Sequence, residues 1–264
     1  MKVAVLSNQQ GQTGKSAFAV LLASLFSRTQ HRRAVILSTG PMKTLFDQVN
    51  VDLRASGLKS VNVYNAAIKS ALASQTDILD YAYRIGDEEV FAYDIFSSTR
   101  DSDDLDSLFV TTINNLKAEL IIIEINGDIN SEFNTKIIKE CDAILNIFNC
   151  NMASMDAVKE YKDTFDKHCV LRTGYICQKY DANTLSESRV AKAIDNNRRT
   201  LMTVPYNGSV IVESYNRNLN SLAALIAKGD ASVIALRMKL LEIMQYLFDT
   251  GKYKYIKGID TWYK

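Results

Sequence analysis

Ser7-Asn8-Gln9-Gln10-Gly11-Gln12-Thr13-Gly14-Lys15-Ser16 separates two stretches of different period. Before it, Lys2 to Leu6 is a short apolar run suited to a buried strand. After it, Phe18, Leu21, Leu22, Leu25 and Phe26 recur at helical spacing between Ser16 and Arg28. A turn from strand to helix presents backbone N–H groups at the helix N-terminus, where they and the helix dipole attract anions. A lysine adds a point charge, and a neighbouring hydroxyl offers an oxygen to Mg²⁺. Gly14, Lys15 and Ser16 supply these parts, and Gly11 and Gly14 permit close backbone approach. Gly11, Gln12, Thr13, Gly14, Lys15, Ser16 and Ala17 thus form the expected phosphate cradle, with Lys15 as the one residue expected to serve a reaction. The spacing GxxxxGK[ST] would place a first glycine at position 9, where the chain has Gln9. What carries the reading is the position of Gly14-Lys15-Ser16 between strand and helix, against the simpler one of a tight connecting turn.

With 264 residues the chain can bury one large α/β domain, assigned to 1–250, followed by a tail, 251–264. Hydrophobic residues at 47% and charged residues at 23% suit a folded globular protein and exclude a disordered one. Thirty-one basic against thirty acidic side chains leave a net charge of +1, which removes a whole-surface footprint for nucleic acid. DNA would have to be met by a local basic patch. Cys141, Cys150, Cys169 and Cys177 have no CxxC spacing and lie in or beside apolar runs, so they read as reduced core residues. With His31 and His168 as the only histidines, a histidine-rich metal site or a Ser-His-Asp triad has little to draw on. Val3 to Leu6 follow the first residues without a charged leader, and no apolar run reaches the length of a membrane span, so the expected compartment is cytoplasmic and stable membrane insertion is not expected.

Strand and helix signals alternate along the rest of the chain. Ala34 to Leu37 reads as a strand, Met42 to Asn50 as a short helix, Asn65 to Leu79 as a helix and Glu89 to Phe96 as a strand. The acidic run Asp101 to Asp106 reads as the start of a helix. Leu120 to Ile125 is a continuous apolar run of the kind found in a parallel sheet covered on both faces, and it is expected to be central. Ala143 to Phe148 and Val170 to Cys177 add strands, with a helix from Ala153 to Lys167 between them, and Ala231 to Asp249 reads as a long closing helix. This order predicts a doubly wound, mostly parallel sheet with helices on both faces.

Two later segments bring a resemblance into view. Asp142 to Asn149 with Ser154-Met155-Asp156-Ala157, and Val204-Pro205-Tyr206-Asn207-Gly208 through Arg217, resemble segments of the ParA/MinD family of positioning ATPases in the order that family has them. The resemblance runs from Met1 to about Leu225 and implies a P-loop nucleotide-binding fold, ATP and Mg²⁺ as cofactors, and a homodimer with a further protein partner. It places Gln178 where the family reads adenine with an asparagine, Pro205 beside the base, and Glu124 where an aspartate binds Mg²⁺ through water, with Ser16 as the other metal ligand. Three departures stand out. Gln10 replaces the lysine that reaches across the family's dimer, Ser38-Thr39-Gly40-Pro41 replaces its Asp-x-Asp-Pro segment, and Glu124 is one methylene longer than aspartate.

The expected function is therefore an ATP-binding positioning or partition switch with weak or absent intrinsic hydrolysis. The alternatives are an interaction scaffold of a pilus, secretion or segregation assembly that no longer binds nucleotide, or a small-molecule phosphotransferase, for which the sequence offers no general base. The tail interleaves Lys252, Lys254 and Lys257 with Tyr253, Tyr255 and Trp262. That pattern fits a headgroup, nucleic-acid or protein surface, or rings folded back onto the domain.

Overall fold

The apolar runs of the sequence become strands of one eight-stranded sheet. In the computed structural model, residues 1–7, 13–49, 82–86, 89–95, 105–168, 172–196 and 200–249 are described. The strands are β1 (Lys2–Leu6), β2 (Ala34–Ser38), β3 (Tyr83–Arg84), β4 (Val90–Ala92), β5 (Leu120–Glu124), β6 (Ala143–Asn149), β7 (Arg172–Tyr180) and β8 (Leu201–Pro205). Their order across the sheet is β3-β4-β2-β5-β1-β6-β7-β8. Every pairing is parallel except β3 with β4. All residues of β2, β5 and β6 are buried, which is why these runs show no alternation of apolar and polar residues.

Helices cover both faces. They are α1 (Lys15–Gln30), α2 (Lys43–Val49), α3 (Leu105–Asn115), α4 (Glu132–Lys139), α5 (Met152–His168), α6 (Glu187–Ala193), α7 (Gly208–Tyr215), α8 (Leu219–Lys228) and α9 (Ile234–Phe248). On one face Val3, Val5, Ile36, Ile122, Leu145 and Ile176 meet α1, α8 and α9. On the other, Ala4, Leu6, Ile121 and Ile123 meet Phe109 and Ile113 of α3 and Ile137 of α4. Phe148, Tyr175 and Cys177 extend that side with Val158 of α5 and Val190 of α6. The arrangement is the doubly wound α/β architecture that the alternation of signals predicts.

Residues Ala17 through Ser27 of α1 are all buried, so this helix is enclosed rather than packed along one stripe. α1 packs against α8 and α9 as well as against the sheet. Local chemistry fixes the ends of other helices. Ser131 accepts a hydrogen bond from Asn134 N–H at the start of α4, Asn207 accepts one from Ser209 N–H at the start of α7, and Gly229 ends α8 in the left-handed conformation.

Several boundaries differ from those predicted. Among the described residues of the strand expected from Glu89 to Phe96, Val90–Ala92 is strand, position 96 lies outside them, and a two-residue antiparallel strand, β3, precedes it. β7 runs on to Tyr180, three residues past the expected end at Cys177. The closing helix begins as a 3-10 turn, Ala231–Val233, capped by Asp230. The helix predicted for 65–79, position 11 and the tail 251–264 lie outside the described residues. Among the described residues no single helix is long and apolar enough to cross a membrane. One bent pair, α8 and the segment Ala231–Phe248 at 102°, has the composition for it, but its apolar side chains pack on α1.

β1 lies between β5 and β6, and the chain winds outward from it in both directions. In such sheets ligands bind outside the carboxyl ends of the strands at this reversal point. The turn after β1 and the end of β5 meet there.

Candidate nucleotide site

Parallel pairing sets Val5 of β1 against Glu124 of β5, so the turn into α1 faces the end of β5. Gly14 precedes α1 with φ of 72°, a conformation that side chains rarely adopt. A Cβ at this position would lie 3.0 Å from Gln178 Oε1, so the amide of Gln178 lies across the turn. Gly14 C=O accepts from Phe18 N–H at 2.9 Å and starts the helix.

The next two side chains reach β5. Ser16 Oγ donates to Glu124 Oε2 at 2.9 Å. Lys15 Nζ donates to Ile125 C=O at 2.7 Å and to Asn126 Oδ1 at 3.0 Å. Glu124 is 4% exposed, and its Oε1 has no hydrogen-bond partner. Burial raises its carboxyl from 4.5 to about 7, although the Ser16 hydrogen bond and the Lys15 charge both act to lower it. Burial likewise lowers the Lys15 ammonium below its usual range, with the nearby Glu124 charge opposing that shift. A buried carboxylate oxygen without a partner is costly, and a hard cation would satisfy it. Among the described residues no three His, Cys, Asp or Glu side chains gather as a metal cluster. The donor set of one hydroxyl and one carboxylate oxygen suits a Mg²⁺ ion that takes its remaining ligands from water and phosphate.

Asn126 ties this centre to the end of β2. Its Nδ2 donates to Ser38 Oγ at 2.7 Å, its backbone N–H donates to Thr39 Oγ1 at 2.9 Å, and its C=O accepts from Asn134 Nδ2 at 2.8 Å. Ser38 Oγ also accepts from Gly40 N–H at 3.1 Å. A Cβ on Gly40 would stand 3.2 Å from Asn126 Cβ, so the two positions are in close approach.

A cavity of about 510 Å³ opens over these groups. Thr13, Gly14, Lys15, Ser16, Ala17, Glu124, Gln178 and Pro205 all line it, as do Asn126 and Ser38. Beyond the polar end, Phe18, Leu21, Leu45, Val204, Leu236 and Leu240 form an apolar lobe under α7. Gly11 and Gln12 lie outside the described residues. Asp47 and Lys43, the charged side chains just beyond β2, do not line the cavity, and Asp47 faces Arg217 at 3.8 Å. Asn126 and Gln48, whose buried Oε1 is unpartnered, are additions that the sequence reading missed. The available signal for Asn126 was its place two residues beyond Glu124 at a strand end.

Sheet order, the glycine turn after the first strand and the lysine and serine that open α1 define a P-loop α/β nucleotide fold. Solved structures narrow it to the ParA/MinD form of that fold. A ParA family ATPase from Chlorobium tepidum TLS superimposes with a TM-score of 0.67 at 12% identity, covering 92% of this chain and 97% of that one. The septum site-determining protein MinD from Pyrococcus horikoshii OT3, solved with Mg-ADP, gives 0.66 at 14% identity over 97% and 100%. A plasmid partition protein from Borrelia burgdorferi B31, solved with AMPPNP, gives 0.65 at 14% identity over 92% and 97%. No protein-family model and no curated protein sequence matches the chain.

Proposed function

We propose that the protein is an ATP-binding switch of the positioning or partition type, in which nucleotide sets a dimeric or partner-bound state and hydrolysis is slow. The carrying observation is the convergence of Lys15, Ser16 and Glu124, with Glu124 Oε1 buried and without a hydrogen-bond partner, an oxygen that a cation would satisfy. The N–H groups of 13–17 and Lys15 would hold phosphate, Ser16 and Glu124 would hold Mg²⁺, and Gln178 and Pro205 would border the base. Mg²⁺ would neutralise phosphate charge when bound. Gly11 and Gln12 complete the cradle in this reading. Residues 1–250 act as one unit in a cytoplasmic setting, as a homodimer with a further protein partner, and the tail 251–264 supplies a surface for attachment.

Slow hydrolysis follows from what surrounds the phosphate end. Among the described lining residues Glu124 is the one carboxylate, and it is bound to Ser16. Ser38, which ends β2, and Gly40 beyond it supply no carboxylate to orient water, and position 10 carries glutamine rather than a lysine that could cross to a partner copy. A second reading, a scaffold that has lost nucleotide, draws on the internal satisfaction of Lys15 by Ile125 and Asn126. Sedimentation velocity with Mg-ATP and with Mg-ADP, alongside phosphate release, separates the two. The switch reading expects a nucleotide-dependent change in mass that Lys15→Ala abolishes, with phosphate release very slow or undetectable. No response to either nucleotide supports the scaffold, and brisk release by the purified protein contradicts slow hydrolysis.

A further inference from the structure

We propose that Asn126 is the residue by which this site distinguishes a nucleoside triphosphate from a diphosphate, its second amide hydrogen meeting the terminal phosphate; the proposal rests on the nucleotide reading above. The carboxamide lines the cavity and lies 3.0 Å from Lys15 Nζ, so an anion bound by that ammonium is a neighbour of Asn126. An asparagine amide nitrogen carries two hydrogens. Among the described residues Nδ2 uses one of them, on Ser38 Oγ.

The side chain is held for this task from three sides. Ser38 accepts from its nitrogen, Thr39 Oγ1 accepts from its backbone N–H, and Asn134 donates to its backbone oxygen. Its volume is available because position 40 has no side chain, a Cβ there approaching Asn126 Cβ to 3.2 Å. A carboxylate after β2 would repel a third phosphate in the absence of a cation. The neutral amide in that space attracts it instead, and the site trades water activation for retention of the triphosphate.

Release of Lys15 from Asn126 accompanies either nucleotide, so it cancels from the ratio of their affinities. Calorimetric titration of wild type, Asn126→Ala and Asn126→Asp with Mg-ADP and with Mg-AMPPNP reads that ratio. A neutral donor to a charged acceptor is worth roughly tenfold or more. The proposal expects triphosphate affinity to fall about tenfold in Asn126→Ala and further in Asn126→Asp, whose carboxylate cannot donate, with diphosphate affinity changed less than about twofold. Ser38→Ala, which leaves Asn126 in place but frees its carboxamide, is expected to shift the ratio in the same direction by less. A merely structural role would lower both affinities together, and that outcome, or an unchanged ratio, overturns the proposal while leaving nucleotide binding intact. Absence of binding by the wild type to both ligands overturns the nucleotide reading and this proposal with it.

Discussion

Two buried polar side chains carry opposite lessons about what single residues cost and why they are present. Glu124 holds its proton more tightly in the folded protein, near 7, than the ordinary carboxyl value of 4.5. A group raised in this way contributes stability that is complete below about pH 4.5 and is lost as pH rises through about 7. Glu124→Gln cannot ionise and escapes that loss. Urea unfolding of the ligand-free protein should therefore show the variant gaining on wild type from pH 5 to pH 8, by up to about 3 kcal/mol. A difference independent of pH would show that Glu124 is ionised throughout. Asn146 is fully buried in β6, in register with Leu6 and Tyr175, and neither its Nδ2 nor its Oδ1 has a partner. An unpaired buried amide costs on the order of 1–3 kcal/mol, so Asn146→Leu, of similar shape, should raise the urea midpoint. A lower midpoint would point to a bound water that the amide holds. Nothing in the surrounding apolar cluster accounts for an asparagine at this position.

Among the elements, β1 and β5 were legible in sequence because burial on both faces leaves apolar runs, α1 because its large apolar residues recur at helical spacing, and the Gly14 turn between β1 and α1 by residue type. β3 was not legible: Tyr83–Arg84 is too short for periodicity and exists through its antiparallel pairing with β4. α7 shows the limit of periodicity: it has no fully buried residue, Ile211, Val212 and Tyr215 are exposed, and only Val210 packs on the core while Val210 and Ile211 also line the cavity. The candidate site divides in the same way. Lys15, Ser16 and Glu124 were readable because each sits at an element boundary whose chemistry is local, whereas Asn126 works through Ser38, Thr39 and Asn134, contacts made only by the fold. Packing of α9 on β7 gives a test at this scale. A Cβ on Gly174 would come within 2.8 Å of Met202 Cε, 2.9 Å of Tyr246 Cε1 and 3.0 Å of Leu145 Cδ2. Tyr246 is itself fixed by a 2.8 Å hydrogen bond to Thr173 C=O and by the Arg172 guanidinium 4.3 Å from its ring centre. Gly174→Ala should lower stability by about 1–3 kcal/mol in thermal or urea unfolding, and a neutral result would mean that β7 and α9 separate without penalty.

At the scale of the whole molecule, the ParA/MinD fold supplies a crevice at the reversal of strand order, and this chain furnishes it with a lysine, a hydroxyl and a buried carboxylate. Truncation after residue 250 should leave the melting temperature unchanged while removing attachment to a partner or surface; a large fall would show the tail's rings packed on the domain. Occupancy of the crevice is the claim on which the rest depends. A ligand that binds only the folded state at a hundredfold its dissociation constant stabilises that state by roughly 2.7 kcal/mol. Lys15 is held by two hydrogen bonds at the cavity wall and contributes little to the apolar core, so Lys15→Ala should fold as wild type does. Thermal unfolding of wild type and Lys15→Ala, each with and without saturating Mg-ATP, is the most direct measurement. The account predicts an upward shift for wild type and none for the variant, whereas equal shifts in both, or no shift in wild type, would contradict it.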